Sequence, residues 1–278
     1  MRNKHDVSDM SDLGEDHSAI IAVSDLHLGF EDSDKDAFIR FLDKLQSDAS
    51  VTDLVLLGDI VDMWRRDASG IFLENKDVLD LILLLQKKMR IYYIAGNHEY
   101  HVLKLQGRGY PIKFLKDLTL QQDGLNCKFV HGWEFDEMQM PHFMESLCHA
   151  MSDHKGDRDT NIWAALNRDE GDLNRFFSAI IHGGRLRQTA EMLQLDPQER
   201  LKETLKGVER KARSTVQPGE VLIFGHTHRP FINKAENLVN TGSWIKTEPI
   251  HNTFVRLEGG KPRLFVFEGS EITERADF

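Results

Sequence analysis

Short apolar runs recur along this chain, and the early ones alternate with amphipathic stretches. The run ending IIAVSD predicts a strand over 19–25, after which Phe38, Leu42 and Leu45 recur at helical spacing and predict a helix near 34–47. LVLLGD then predicts a strand over 53–58. Leu79, Ile82 and Leu83 mark the inward face of a helix near 74–89, and IYYIAGN a strand over 91–95. Apolar strands separated by helices indicate a mostly parallel sheet covered on both faces. CKFVHG and VLIFGHTH read as further buried strands, and VNTGSWI, NTFVRLE and PRLFVFE as strands completing a second sheet.

Two stretches break this rhythm. Residues 1–18 are polar and acidic and are expected to form a mobile tail preceding a domain over 19–278. Between 133 and 218 the strand pattern stops and helical periods take over. Phe143, Leu147 and Met151 share one face, Leu173, Phe176, Phe177 and Ile180 another, and 187–214 reads as a long charged helix. Loops of this length are usually functional, so the segment is expected to be a helical cap inserted between two site loops. Its apolar faces are expected first to pack. Its basic residues, among them Lys206, Arg210, Lys211 and Arg213, suit a solvated face or an electrostatic guide for an anionic substrate.

Composition narrows the class. The 278 residues carry a formal charge of -10, which argues against general nucleic-acid binding because phosphate affinity comes mainly from clustered Lys and Arg. The two cysteines, Cys127 and Cys148, have no metal or redox spacing, which fits a reducing, cytoplasmic setting. The N-terminus lacks the apolar core of a secretory signal. LDLILLLQ falls well short of the ~20 apolar residues that span a bilayer, so any membrane contact is expected to be peripheral.

The chemistry sits at the strand ends. Asp25-Leu26-His27, Gly58-Asp59-Ile60-Val61-Asp62, Gly96-Asn97-His98-Glu99, Val130-His131-Gly132 and Gly225-His226-Thr227-His228 each follow an apolar run. Ligands of covered sheets bind at the carboxyl ends of their strands. Gathering all five at one place is expected to require those strands to lie side by side. Asp25 and His27, two apart on an extended strand end, would point the same way, and so would His226 and His228. Asp59 could give one oxygen to each of two ions, and Asn97 offers an amide oxygen. Such donors, without thiolate, suit Mn, Fe, Zn, Co or Ni. Two ions roughly 3.5–4 Å apart would lower the pKa of a bridging water and clamp a phosphoryl group for in-line attack.

The order D-x-H, G-D-x-x-D, G-N-H-E, H and G-H-x-H, over about residues 19–245, resembles the calcineurin-like metallophosphoesterase superfamily. The resemblance implies an α/β fold, a four-layer αββα sandwich. It further implies hydrolysis of a phosphoester or pyrophosphate bond by a metal-bridging hydroxide, with two divalent ions, Mn first among the candidates. Asp25, His27, Asp59 and His228 would hold the first ion, and Asp59, Asn97, His131 and His226 the second. His98 would contact the phosphate and protonate the leaving oxygen. Glu99 would orient His98, and Asp62 would support a ligand.

SDLHLG, GDIVDMW and GHTHRP, with the long insertion, further resemble the UDP-2,3-diacylglucosamine pyrophosphatase branch, whose insertion is a lid receiving acyl chains. This chain follows the general superfamily form at His98, where that branch usually carries Arg, and has HGWEFDE in place of HGD. The architecture is therefore carried over, and the lipid substrate is one candidate among small or amphipathic phosphorylated compounds. Arg229 and Trp64 are candidate substrate contacts, and Trp64 is equally suited to packing under its loop. Two alternatives carry different signatures. A catalytically silent scaffold of this fold would lack ligands or His98, and a nuclease would show a basic stripe leading to the metals. Oligomeric state is open.

Overall fold

A computed structural model describes residues 11–12, 18–136 and 197–275. Most of the expected tail and the stretch 137–196 of the expected cap lie outside the described residues, including both apolar faces named there. The described chain runs β1 (Ser11–Asp12), β2 (Ala19–Val23), α1 (Lys35–Ser47), β3 (Val51–Leu57), α2 (Ala68–Glu74), α3 (Lys76–Leu85) and β4 (Arg90–Ile94). It continues through β5 (Lys113–Leu115), β6 (Asp117–Gln122), β7 (Leu125–Val130), α4 (Pro197–Thr215), β8 (Glu220–Phe224) and β9 (Phe231–Asn233). The last strands are β10 (Leu238–Asn240), β11 (Thr253–Glu258), β12 (Lys261–Glu268) and β13 (Glu271–Glu274).

Two sheets result. One has seven strands in the order β13-β12-β11-β2-β3-β4-β5, the other six in the order β1-β6-β7-β8-β10-β9. The central strands of both alternate between two buried faces, which is why they read as continuous apolar runs. Ile20, Val55, Leu57 and Tyr92 of the first sheet meet Leu118, Leu120, Phe129 and Ile223 of the second in a core between the sheets. The opposite faces of β2, β3 and β4 present Ile21, Leu54, Leu56 and Ile91 to Phe38, Phe41 and Leu42 of α1 and Val78 and Ile82 of α3. On the far side, Leu222, Phe224 and Leu238 pack against Val208 and Ala212 of α4. The order of layers is thus αββα, as the sequence resemblance implied.

Several local expectations are corrected. The helix expected near 74–89 is α3, over Lys76–Leu85, and a further helix, α2, precedes it and ends at Asn75, whose Nδ2 donates to Ile71 O. The inward face of α3 is Val78, Ile82 and Leu85, whereas Leu83 is 42% exposed. β11 and β12 do not build the second sheet; β11 pairs antiparallel with β2 and extends the first. Of VNTGSWI only Val239 and Asn240 belong to a strand, which is Leu238–Asn240. Gly242, at φ +76°, turns the chain out of the sheet, and Trp244 N then donates to Asp25 O at 3.0 Å.

The packing gives a direct stability test. Ile223, fully buried between the sheets, is expected to lower unfolding stability by about 2–5 kcal/mol on substitution Ile223→Ala. Leu73→Ala, at a position 82% exposed on α2, should stay within about 0.5 kcal/mol of wild type. Urea denaturation of the chelator-treated protein measures both.

Candidate metal centre

Five strand ends deliver the expected ligands, but from two sheets rather than one. Asp25 and His27 follow β2, Asp59 and Asp62 follow β3, and Asn97, His98 and Glu99 follow β4, all in the seven-stranded sheet. His131 follows β7, and His226 and His228 follow β8, in the other. The expectation that all five strands lie side by side is corrected: three adjacent strands face two.

The ligand loops are not extended. Asp25, His27, Asp59, His226 and His228 all have φ between 52° and 67°, the left-handed region. Asp25 and His27 therefore converge through two left-handed turns rather than through strand alternation. For non-glycine residues such conformations each cost about 1–2 kcal/mol. Backbone bonds hold them: Asp25 N donates to Gly58 O at 3.0 Å, and His27 N to Asp59 O at 2.8 Å. Close approach also explains the motif glycines. A Cβ on Gly96 would lie 2.1 Å from Asp59 Oδ1, and one on Gly225 2.5 Å from Asp25 Oδ2.

Two triads form. Asp25, His27 and His228 bring their ligand atoms within 4.8 Å of one another, and so do Asp59, His131 and His226. Asp59 Oδ2 lies 3.1 Å from His131 Nε2 and 3.8 Å from His27 Nε2, so this carboxylate faces both. Asn97 is buried on the loop that Asp59 touches through Gly96. Among the described residues, Asp25 Oδ1 and His131 Nε2 are buried without a well-directed hydrogen bond, and each looks at another ligand. Buried carboxylate and imidazole atoms left in this way, with no thiolate beside them, fit divalent cations.

A second arrangement adjoins the triads. Asp62 is fully buried and uses both oxygens, Oδ2 on His27 Nδ1 at 3.1 Å and Oδ1 on His98 Nδ1 at 2.9 Å. Trp64 stacks on His98 with ring centroids 4.0 Å apart, and packs with Tyr100 and Trp133. Trp64 thus walls the site through His98. Asp62 is the carboxylate that orients His98; the expectation that Glu99 does so is corrected. Glu99 is buried and accepts from Gly96 N at 3.2 Å and Ile60 N at 3.4 Å, bracing two ligand loops against each other.

Arg229 is half exposed and pairs with Glu209 of α4 at 3.3 Å. Arg65, whose charge acts on His98, pairs with Asp62 and lies 4.5 Å over the Phe30 ring. Nothing in the sequence distinguished Arg65 from Arg66. Glu248, also unforeseen, lies 3.3 Å from His228 Nδ1.

Electrostatics follow the geometry. Burial would raise Asp59, but the charges of His131 and His98 hold it well below the usual carboxylate range. Asp62 is likewise held low against burial by His98 and His27. Burial disfavours a charged His98, and Asp62 and Asp59 outweigh it and raise its pKa. Glu99, desolvated and beside Asp59, is pushed well up, which favours a neutral carboxyl.

Residues 18–230 match the family model for calcineurin-like phosphoesterases. The chain belongs to that family. It is a metal-dependent phosphoesterase. It is 26% identical over 237 residues to a UDP-2,3-diacylglucosamine hydrolase of Shewanella sp. (strain W3-18-1), covering 81% of this chain and 88% of that protein. A protein of the same name from Shewanella baltica (strain OS155 / ATCC BAA-1091) is 32% identical over 114 residues, covering 40% of this chain and 45% of that one. Among solved structures, the phosphoesterase Yfce of E. coli superposes with a TM-score of 0.48 at 15% identity, over 93% of this chain and 98% of that one. No helix among the described residues of the phosphoesterase is long and apolar enough to cross a membrane.

The two triads make the metal-free phosphoesterase sensitive to pH. Burial opposes charge on His131 and His228, but Asp59 pushes the first up to about 10, and Asp25 with Glu248 pushes the second up to about 10. Both values lie above the ordinary 6.5, so this stabilisation is complete below pH 6.5 and lost as pH rises through about 10. The melting temperature of chelator-treated protein is therefore expected to fall between pH 6.5 and 10. Divalent metal, which takes the place of those protons, should flatten the fall.

Proposed function

We propose that this phosphoesterase hydrolyses a phosphoester or pyrophosphate bond at a pair of divalent ions, with His98 protonating the leaving oxygen. The observation that carries the reading is Asp59, whose carboxylate faces both triads. Asp25, His27, Asp59 and His228 would hold one ion, and Asp59, Asn97, His131 and His226 the other. Manganese suits this oxygen and imidazole set, with Fe, Zn, Co or Ni as alternatives. When bound, the ions supply positive charge to the phosphoryl oxygens and lower the pKa of a water molecule to generate the nucleophile.

The remaining work falls to the protein's own groups. Asp62 accepts from His98 Nδ1 and so turns Nε2 toward Asp59, 3.9 Å away, where a leaving oxygen would sit. Asp62 and Asp59 raise the imidazole's pKa against the effect of burial, which favours the protonated form that such a step needs. Trp64 fixes the ring plane from one side. The substrate is proposed to be small or amphipathic, and the relatives named UDP-2,3-diacylglucosamine hydrolase support a phosphorylated, lipid-like compound. Arg65, exposed beside His98, is better placed than Arg229 to meet its charge.

Hydrolysis of a panel with added manganese tests this reading. The panel comprises p-nitrophenyl phosphate, bis-p-nitrophenyl phosphate, a UDP-linked lipid precursor and single-stranded DNA. Turnover of one class, abolished together with metal binding in Asp59→Ala, is the expected outcome. No turnover of any compound by metal-loaded protein would count against the reading. His98→Ala is expected to keep its metal by elemental analysis while kcat falls by about two to four orders of magnitude. Loss of metal from that variant would instead place His98 among the ligands.

A further inference from the structure

Resting on the dinuclear reading above, we propose that Glu248 is a positioning residue that selectively strengthens the metal site formed by Asp25, His27 and His228. An imidazole binds a cation through one nitrogen, and its other nitrogen decides which way the ring faces and which tautomer it holds. For three of the candidate imidazole ligands the remote nitrogen has a partner. His27 Nδ1 meets Asp62 at 3.1 Å, and His131 Nδ1 donates to Leu57 O at 2.8 Å. His228 Nδ1 meets Glu248 Oε1 at 3.3 Å, while its Nε2 lies 3.2 Å from Asp25 Oδ1 and 3.3 Å from His27 Nε2. Glu248 therefore turns the Nε2 lone pair of His228 into the first triad and nowhere else.

The carboxylate is held by a strapped loop. Trp244 N donates to Asp25 O at 3.0 Å, Asp34 N to Trp244 O at 2.8 Å, and Lys246 N to Asp32 O at 2.9 Å. These three bonds fasten the segment before Glu248 to the loop that carries Asp25 and His27. Glu248 N then donates to Ile245 O at 3.0 Å, and Glu248 O accepts from His251 Nδ1 at 3.0 Å. The same loop thus holds Asp25 by a backbone bond and His228 by a side chain. His226, in the other triad, has no such contact with Glu248.

The role predicts an unequal effect on the two ions. Manganese binding is measured by competition with a fluorescent chelator, on wild type, Glu248→Ala and Glu248→Gln. In Glu248→Ala, one of two equivalents should weaken by about tenfold to a hundredfold and the other stay at its wild-type affinity. Glu248→Gln retains an acceptor for His228 Nδ1 and should recover part of the loss. Electron paramagnetic resonance of Glu248→Ala with two equivalents added should show a mononuclear manganese signal in place of the spin-coupled pair. Two equivalents bound as in wild type, or both weakened equally, would overturn the assignment. Wild-type protein binding no manganese would overturn the metal reading itself, and the role of Glu248 with it.

Discussion

Asp25 belongs to the seven-stranded sheet, yet its carboxylate is directed mainly at the other one. It is fully buried, accepts from His226 N at 2.9 Å through Oδ2, and turns Oδ1 toward His228. The hydroxyl of Ser24, which also reaches this carboxylate, contacts Thr241 at 2.6 Å and the carbonyl of Gly242 at 3.1 Å. Two sheets whose shared interior is mainly apolar are thereby locked in one relative position at their carboxyl ends. The convergence of ligands from β2, β3 and β4 with those from β7 and β8 depends on that lock.

Within the centre, one carboxylate serves two different ends. Asp62 holds His27 and His98 through its two oxygens, so in the proposed reaction cation binding and proton delivery would be set by a single buried side chain. Glu99 works at another level, joining the backbones that follow β3 and β4. Sequence adjacency suggested Glu99 as the partner of His98. Adjacent residues on this tight loop point apart, however, and the residue that reaches the ring comes from a neighbouring strand end.

What was legible in the sequence had a local physical signature. Strands buried on both faces leave unbroken apolar runs, and β2, β3, β4, β7 and β8 were found that way within a few residues. The candidate ligands stood out because each sits just past such a run. Strand partnership left no comparable trace: TFVRLE alternates equally well on either sheet, and only its pairing with β2 decides. α2 was missed because Phe72 and Leu73 face solvent and blur the helical stripe. Arg229 looked well placed by its position next to His228, but its partner Glu209 lies on a helix whose docking no local pattern reveals. Glu248 was missed for the same reason, since it reaches His228 across a loop 20 residues further on.

The left-handed ligand residues have a thermodynamic consequence. Asp25 and His226 lie 201 positions apart in the chain, and three of the five backbone-strained ligands belong to one sheet and two to the other. In the proposed site, an ion held by ligands of both sheets would be a reversible cross-link closing almost the whole domain. A cation that binds only the folded form adds RT ln(1 + [L]/Kd), about 2.7 kcal/mol when free metal exceeds its dissociation constant a hundredfold. The conformational energy of the strained turns and the closure of this long loop are thus underwritten by metal supply. Heat resistance of the domain becomes a readout of free-ion concentration, independent of whether any substrate is turned over.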